Sequence, residues 1–200
     1  MLQNRVTPFG ELTAVSARGT LFGNRGGKFH RDDRTLGRRR WASRQWICCV
    51  LDFKSRHRDV WGRYYTELFF LDEVTALAAG HRPCFECRRK DAQAFAALFP
   101  RAHKAPDMDT ILHRERLIGR TKRLHRSALD ALPDGAMIAG AGAGEAFALR
   151  GAHLLRWTPS GYDKALPRPR DIDVYVLTPP SIIDVLKGGY APLWHPSAAL

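Results

Sequence analysis

The stretch FLDEVTALAAGHRPCFEC, residues 70–87, decides how this chain is read. It has the pattern of a helix that stops at a glycine, followed by a tight turn carrying a Cys-x-x-Cys pair. Asp72 is an N-cap residue type, and Glu73 adds negative charge to the first turn, where the helix dipole favours it. Val74, Ala76, Leu77 and Ala78 are helix-compatible apolar residues. Gly80 falls where a left-handed residue closes a helix. Pro83 precedes Cys84 and Cys87, and two thiolates three positions apart can grip one tetrahedral metal ion. A lone CxxC is also compatible with a redox pair or with two buried thiols. A redox pair follows a strand and opens a long helix. Here the pair follows a helix and an Arg-Pro turn, which favours a metal, with Zn2+ the expected ion.

Upstream, LFGNRGGKFH spans residues 21–30. Gly23-Asn24 and Gly26-Gly27 are turn signals, so a hairpin is expected to bring Phe29 and His30 back along a strand. With these residues the chain resembles the Ada-like zinc-binding modules, the class of the N-terminal domain of the Ada DNA-repair protein. The residues that carry the likeness are Gly23, Asn24, Phe29, His30, Phe70, Ala76, Gly80, Arg82, Pro83, Cys84 and Cys87, within residues 18–100 or so. The resemblance implies an Ada-like hairpin and helices around zinc, and by matching position it implies His30, Cys84 and Cys87 as ligands. Arg34 stands where related modules place a further Cys, and no cysteine precedes Cys48. The likeness therefore implies fold and metal more than methyl transfer.

The fourth ligand stays open at this stage. Asp32 or Asp33 can supply oxygen, Cys48 or Cys49 sulfur, or a water can complete the shell and leave the site catalytic. In RQWICCVLDF, residues 44–53, alternation puts Ile47, Cys49, Leu51 and Phe53 on one face, so that Cys49 reads as core, and Trp46, Cys48 and Val50 on the other. The plain alternatives are a strand histidine for His30 and solvated loop acids for Asp32 and Asp33.

Lys and Arg total 32 against 20 Asp and Glu, a formal net charge of +12. Such a balance points to polyanions, nucleic acid foremost. The charge is clustered. Arg31, Arg34, Arg38, Arg39, Arg40 and Arg44 crowd one segment around Trp41 and Trp46; Lys54, Arg56, His57, Arg58 and Arg63 follow beside Trp61, Tyr64 and Tyr65. Guanidinium forks fit phosphates and aromatic rings stack on unpaired bases. On this reading Arg38, Arg39, Arg40, Arg56 and Arg58 meet phosphates and Trp41 or Trp61 stacks on a base, with DNA preferred to RNA. The competing reading makes the tryptophans core anchors and the charge a solvated face. A second basic cluster, residues 113–126, reads as a helix or helix pair.

The expected class is α+β in two parts: an Ada-like region over residues 1–105 and a small β-rich part with a terminal helix over 106–200. Residues 88–99 predict a helix with Ala92, Phe95, Ala96 and Phe99 as its apolar stripe, and residues 99–109 predict a linker. Beyond it, helices are expected over 110–117 and 123–131, and strands over 136–139, 145–150, 153–158 and 173–177. Ser181 and Asp184 have capping-box spacing before a last helix that ends at Gly188. The run GAGAGE, residues 140–145, lacks the Gly-Lys-Ser/Thr ending of a P-loop. The start MLQNRVTPFG has no apolar run, and no stretch approaches a membrane span, so a cytoplasmic protein with no membrane partner is expected. HExxH and GxSxG are absent from the sequence. PCFEC matches half of a zinc deaminase pattern, but His30-Arg31-Asp32 lacks its glutamate. The reading favoured by these residues is a zinc-binding, nucleic-acid-binding protein in DNA repair or its regulation. Its rivals are a metal-dependent enzyme acting on nucleic acid at an open three-ligand site, by phosphodiester cleavage or alkyl-adduct repair, and a protein-interaction module.

Overall fold

A computed structural model describes residues 1–55 and 59–199. It is an α+β structure with two six-stranded sheets. The first sheet contains β1 (Arg5–Val6), β2 (Leu12–Thr13), β3 (Leu21–Arg25), β4 (Trp46–Val50), β5 (Leu68–Phe70) and β6 (Arg82–Pro83), in the order β2-β1-β5-β3-β4-β6. Between them and after them lie α1 (Glu73–Ala78), α2 (Arg89–Leu98) and α3 (Ala105–Arg116). A short hairpin of β7 (Leu117–Ile118) and β8 (Thr121–Lys122) follows. The second sheet is built from β9 (His125–Ala128), β10 (Met137–Ala139), β11 (Ala146–Arg150), β12 (His153–Thr158), β13 (Gly161–Pro167) and β14 (Asp173–Val176). Its order is β13-β12-β11-β10-β14-β9; α4 (Pro180–Lys187) follows, and then a segment with a single helical turn at Pro196–Ala198.

Helix α1 forms where the sequence places it. Asp72 caps it, its Oδ1 accepting from the Thr75 amide and hydroxyl, both at 2.8 Å. Gly80 takes φ +87°, and a Cβ there would lie 2.7 Å from the Arg116 side chain. Every residue of α1 is buried, as expected of a helix that is apolar on more than one face. Leu71, Val74 and Ala78 pack with Met137, Ala146, Ala148 and Leu155 of the second sheet. Ala76 and Ala79 pack with Leu21, Leu68 and Phe70 of the first. Leu77 joins Phe95, Met108, Leu112 and Ile182 from the other helices. Each sheet belongs to one half of the sequence, whereas the cores around Val74 and Leu77 run across position 105.

Several elements depart from their local signals. Gly23-Asn24 is not a turn but lies inside β3, paired with Cys48 and Ile47 of β4. A Cβ on Gly23 would come 2.0 Å from the Ile47 carbonyl oxygen, so glycine here serves close backbone approach. The partner of β3 arrives twenty residues later, and His30 makes only an isolated bridge to Leu36. Residues 125–128, expected in a helix, are a strand because β14 offers them an edge, with Ser127 opposite Val174. Residues 105–109, expected in a linker, open α3, since Pro106 is tolerated in a first turn. The Ser181 side chain does not cap α4. Glu115 of α3 instead accepts from the Ser181 amide and hydroxyl, at 3.0 and 2.6 Å.

Two buried carboxylates at the start of α1 join the halves. Asp72 Oδ2 accepts from the Tyr162 hydroxyl at 2.9 Å and the His195 amide at 3.1 Å. Glu73 accepts from the Tyr190 hydroxyl at 2.7 Å and the Leu193 amide at 2.9 Å, and pairs with Arg88 at 2.8 Å. Breaking a buried pair by removing one partner costs about 3–5 kcal/mol. Glu73→Ala is therefore expected to lower unfolding stability by about 3 kcal/mol or more in urea denaturation; a loss below about 1 kcal/mol would show that the pair is not holding the fold.

Candidate metal centre and basic surface

The CxxC turn is positioned by its neighbours on both sides. β6 lies parallel to β4, with Pro83 opposite Cys48, and the Cys84 amide donates to the Cys48 carbonyl at 3.0 Å. Arg88, next to Cys87, is anchored on Glu73 and Asp91 and starts α2. The turn thus faces one side of β4, and that side carries Cys49. The sulfurs of Cys49, Cys84 and Cys87 lie within 4.8 Å of one another. A tetrahedral zinc with Zn–S bonds of about 2.3 Å requires sulfurs roughly 3.8 Å apart, so the three need only a small contraction. Phe22 packs against the group, as do Ile47 and Phe69.

The three thiols hydrogen-bond to one another. Hydrogen bonds from Cys49, then Cys87, hold the Cys84 thiol well below its usual range, and the Cys87 and Glu86 amides add to this. Glu86 donates to the Cys84 sulfur at 3.4 Å. Cys49 is pushed up by its bond to Cys84 and then by that to Cys87. For Cys87 the bond with Cys49 pulls down, but the bond to Cys84 and burial outweigh it. A divalent cation would take the same sulfurs and displace their protons.

His30 is not brought to this group. Its Nδ1 lies 2.7 Å from the Thr66 hydroxyl, which also accepts from the Phe29 and His30 amides. That oxygen therefore gives its proton to the imidazole. The ring also hydrogen-bonds to the backbone of Trp61 and Gly62 and stacks on Trp61 at 5.1 Å. Burial, then Lys28, lowers its pKa. His30 reads from the structure as a buried histidine with its hydrogen bonds filled. Asp32 pairs with Lys28 and Asp33 accepts from Thr35, both on the surface and outside the sulfur group. Cys48 points to the opposite face of β4, where Arg88 Nη1 lies 3.3 Å from its sulfur; burial, then Glu73, keeps it a neutral thiol. The alternation of residues 46–50 holds: Cys49, read as core, is buried with Phe22 on the face that the turn covers, and Cys48 is buried on the other.

The basic segment divides as well. Arg38 and Arg39 are exposed, and Arg40 and Trp41 are partly buried. Trp61 is 2% exposed, with Nε1 and backbone amide both donating to Glu67. Its ring is engaged inside the protein, which leaves Trp41 as the tryptophan of the pair with an accessible ring. Arg56 and Arg58 lie outside the described residues. Sequence reasoning missed Arg25 and read Arg116 and Lys122 only as part of the basic run 113–126; with Arg40 and Trp41 the three line one cavity, a meeting that their spread over 98 positions does not signal. No helix among the described residues is long and apolar enough to cross a membrane.

The sulfur group makes a direct prediction. Cys49→Ser and Cys84→Ser should each reduce bound zinc well below one ion per chain, read by elemental analysis, while His30→Ala should leave it unchanged. Zinc lost with His30→Ala and kept with Cys49→Ser would restore the ligand set implied by the resemblance. No family model, no curated protein and no solved structure matches this chain.

Proposed function

We propose that this chain binds zinc through Cys49, Cys84 and Cys87 and uses its basic face to bind nucleic acid, DNA in preference to RNA. The three converging sulfurs carry the metal half of this reading. A soft, all-thiolate donor set selects zinc over magnesium or calcium. The metal would lock the turn before α2 to the centre of β4, fastening two elements distant in sequence. The Ada-like pattern of residues 70–87 supports the same assignment for Cys84 and Cys87 and motivates a role in DNA repair or its regulation. It does not supply an alkyl acceptor: no cysteine precedes Cys48.

The nucleic-acid half rests on charge and its placement. The net charge is +12, and Arg38, Arg39 and Arg40 sit together beside Trp41. Lysines and arginines on phosphates release counterions, so affinity for a mixed-sequence DNA duplex or single strand should fall steeply with salt. Arg38→Ala with Arg39→Ala should weaken oligonucleotide binding and reduce the salt slope by roughly one to two units in a log–log plot. Unchanged affinity and slope would remove this face from the account.

A second reading is favoured by one observation. The three cysteines line a cleft of about 470 Å³ together with Asn24, Glu67 and Arg82. A three-sulfur metal would present its fourth position to that cleft, as a catalytic zinc does. Chelation separates the two readings. A structural zinc should be lost together with the fold, seen as a drop in Tm, because its binding energy is folding energy. A catalytic zinc should leave the fold in place while cleavage or dealkylation of a nucleic-acid substrate stops.

A further inference from the structure

A second cavity, of about 400 Å³, lies on the other side of the first sheet from the cysteines. Arg25 ends β3, Arg116 ends α3, and Lys122 belongs to β8; with Arg40 and Arg120 they line one space. Arg25 is 1% exposed and Arg116 is fully buried. Their guanidiniums stand over the Trp46 ring at 3.8 and 3.9 Å. Among the described residues, none of the five cations has an ion-pair partner. Arg25 donates to the Gly10 and Arg40 carbonyls and to His81. Arg116 donates to the Gly80 and Arg44 carbonyls and lies 3.1 Å from His113. Lys122 donates to the Ala78 carbonyl, and Arg120 to the Arg38 carbonyl. Arg116 Nε and His81 Nδ1 are buried with no partner.

The contrast with the rest of the molecule is informative. Arg82, equally buried, is held by both oxygens of Asp109 at 2.8 Å, and Arg88 is paired with Glu73. Asp109 is near enough to favour the charge on Arg116, but its oxygens are committed to Arg82. The cavity's own lining offers one carboxylate, that of the exposed residue Glu11. Uncompensated buried cations are costly. Burial pushes Arg116 down to about 9, Asp109 opposing it and Arg82 adding to it, and burial, then the charges of Arg116 and Arg25, pushes Lys122 down to about 7. A bound anion would reverse both penalties.

We propose that this cavity is a phosphate-binding site that takes a mononucleotide or the phosphorylated end of a nucleic-acid strand. Several converging guanidiniums match a multiply charged phosphate better than a single carboxylate, because each fork can meet two oxygens. The volume suits a ligand of nucleotide size. Trp41 lies at the same cavity, its ring 5.9 Å from Trp46 and edge-on to His113 at 5.7 Å, and offers a surface for a base. The site does not depend on metal at the cysteines; only its second source rests on the nucleic-acid reading.

The test is calorimetric titration of the full chain, at constant ionic strength, with pyrophosphate, adenosine 5′-monophosphate, adenosine, and ten-residue oligothymidylates with and without a terminal phosphate. Saturable binding of phosphate-bearing probes but not adenosine is expected, weakened ten-fold or more by Lys122→Met and by Arg120→Ala. Arg120 is exposed, so that variant should fold even where a change at Arg116 does not. Adenosine monophosphate bound without oligonucleotide would identify a free nucleotide and sink the nucleic-acid reading alone. Tighter binding of the phosphorylated oligonucleotide than of its hydroxyl-ended form would identify a strand end. No saturable binding of any phosphate-bearing probe, or binding indifferent to both variants, would overturn the site. Oligonucleotide binding that ignores the terminal phosphate and both variants would do the same, while leaving the wider basic face intact.

Discussion

The structure depends on how two adjacent carboxylates, Asp72 and Glu73, are buried at the start of one short helix. Neither can leave water without compensation, so each draws partners from distant parts of the chain. Asp72 caps its own helix through Thr75 and then receives Tyr162 and the His195 amide. Burial, against those hydrogen bonds, still raises its pKa. Glu73 receives Arg88, Tyr190 and the Leu193 amide. The second sheet, the C-terminal segment and the start of α2 are fastened to one point.

The metal candidate inherits its geometry from that point. Arg88 reaches Glu73 with one nitrogen and the Cys48 sulfur with another, so the residue after Cys87 is pinned against β4. The CxxC turn is then left over the opposite face of that strand, where Cys49 waits. β4 serves both candidate sites: Cys49 on one face, and Trp46 on the other between two guanidiniums. Their electrostatics are opposed. Three sulfurs form a group suited to a cation, and five basic side chains without an ion-pair partner among the described residues gather around the other cavity.

Much of the local architecture was legible from residues alone. The N-cap at Asp72, the stop at Gly80, the apolar stripe of α2 and the strands near 137–139, 146–150 and 153–158 follow from short-range chemistry, and short-range chemistry is what a sequence displays. The misreadings share a cause. Gly23-Asn24 has turn composition, yet β4 approaches so closely that only glycine fits. Residues 125–128 lie in a stretch with a helical reading, 123–131, yet took the edge that β14 offered. Ser181 had a capping partner three positions on, but Glu115 from another helix came nearer.

By itself the sequence determined the α+β class, a helix-then-CxxC unit, and a strongly basic chain, because composition, periodicity and CxxC spacing are properties of neighbours. Only the tertiary structure decided which residues meet. It placed Cys49 rather than His30 beside Cys84 and Cys87, since strand alternation sends adjacent cysteines to opposite faces and only the pairing of β6 with β4 says which face the turn will cover. It also gathered Arg25, Arg116 and Lys122 from three elements around Trp46. No spacing rule links those positions; the shared cavity exists only once the sheet, the helix end and the small hairpin have packed.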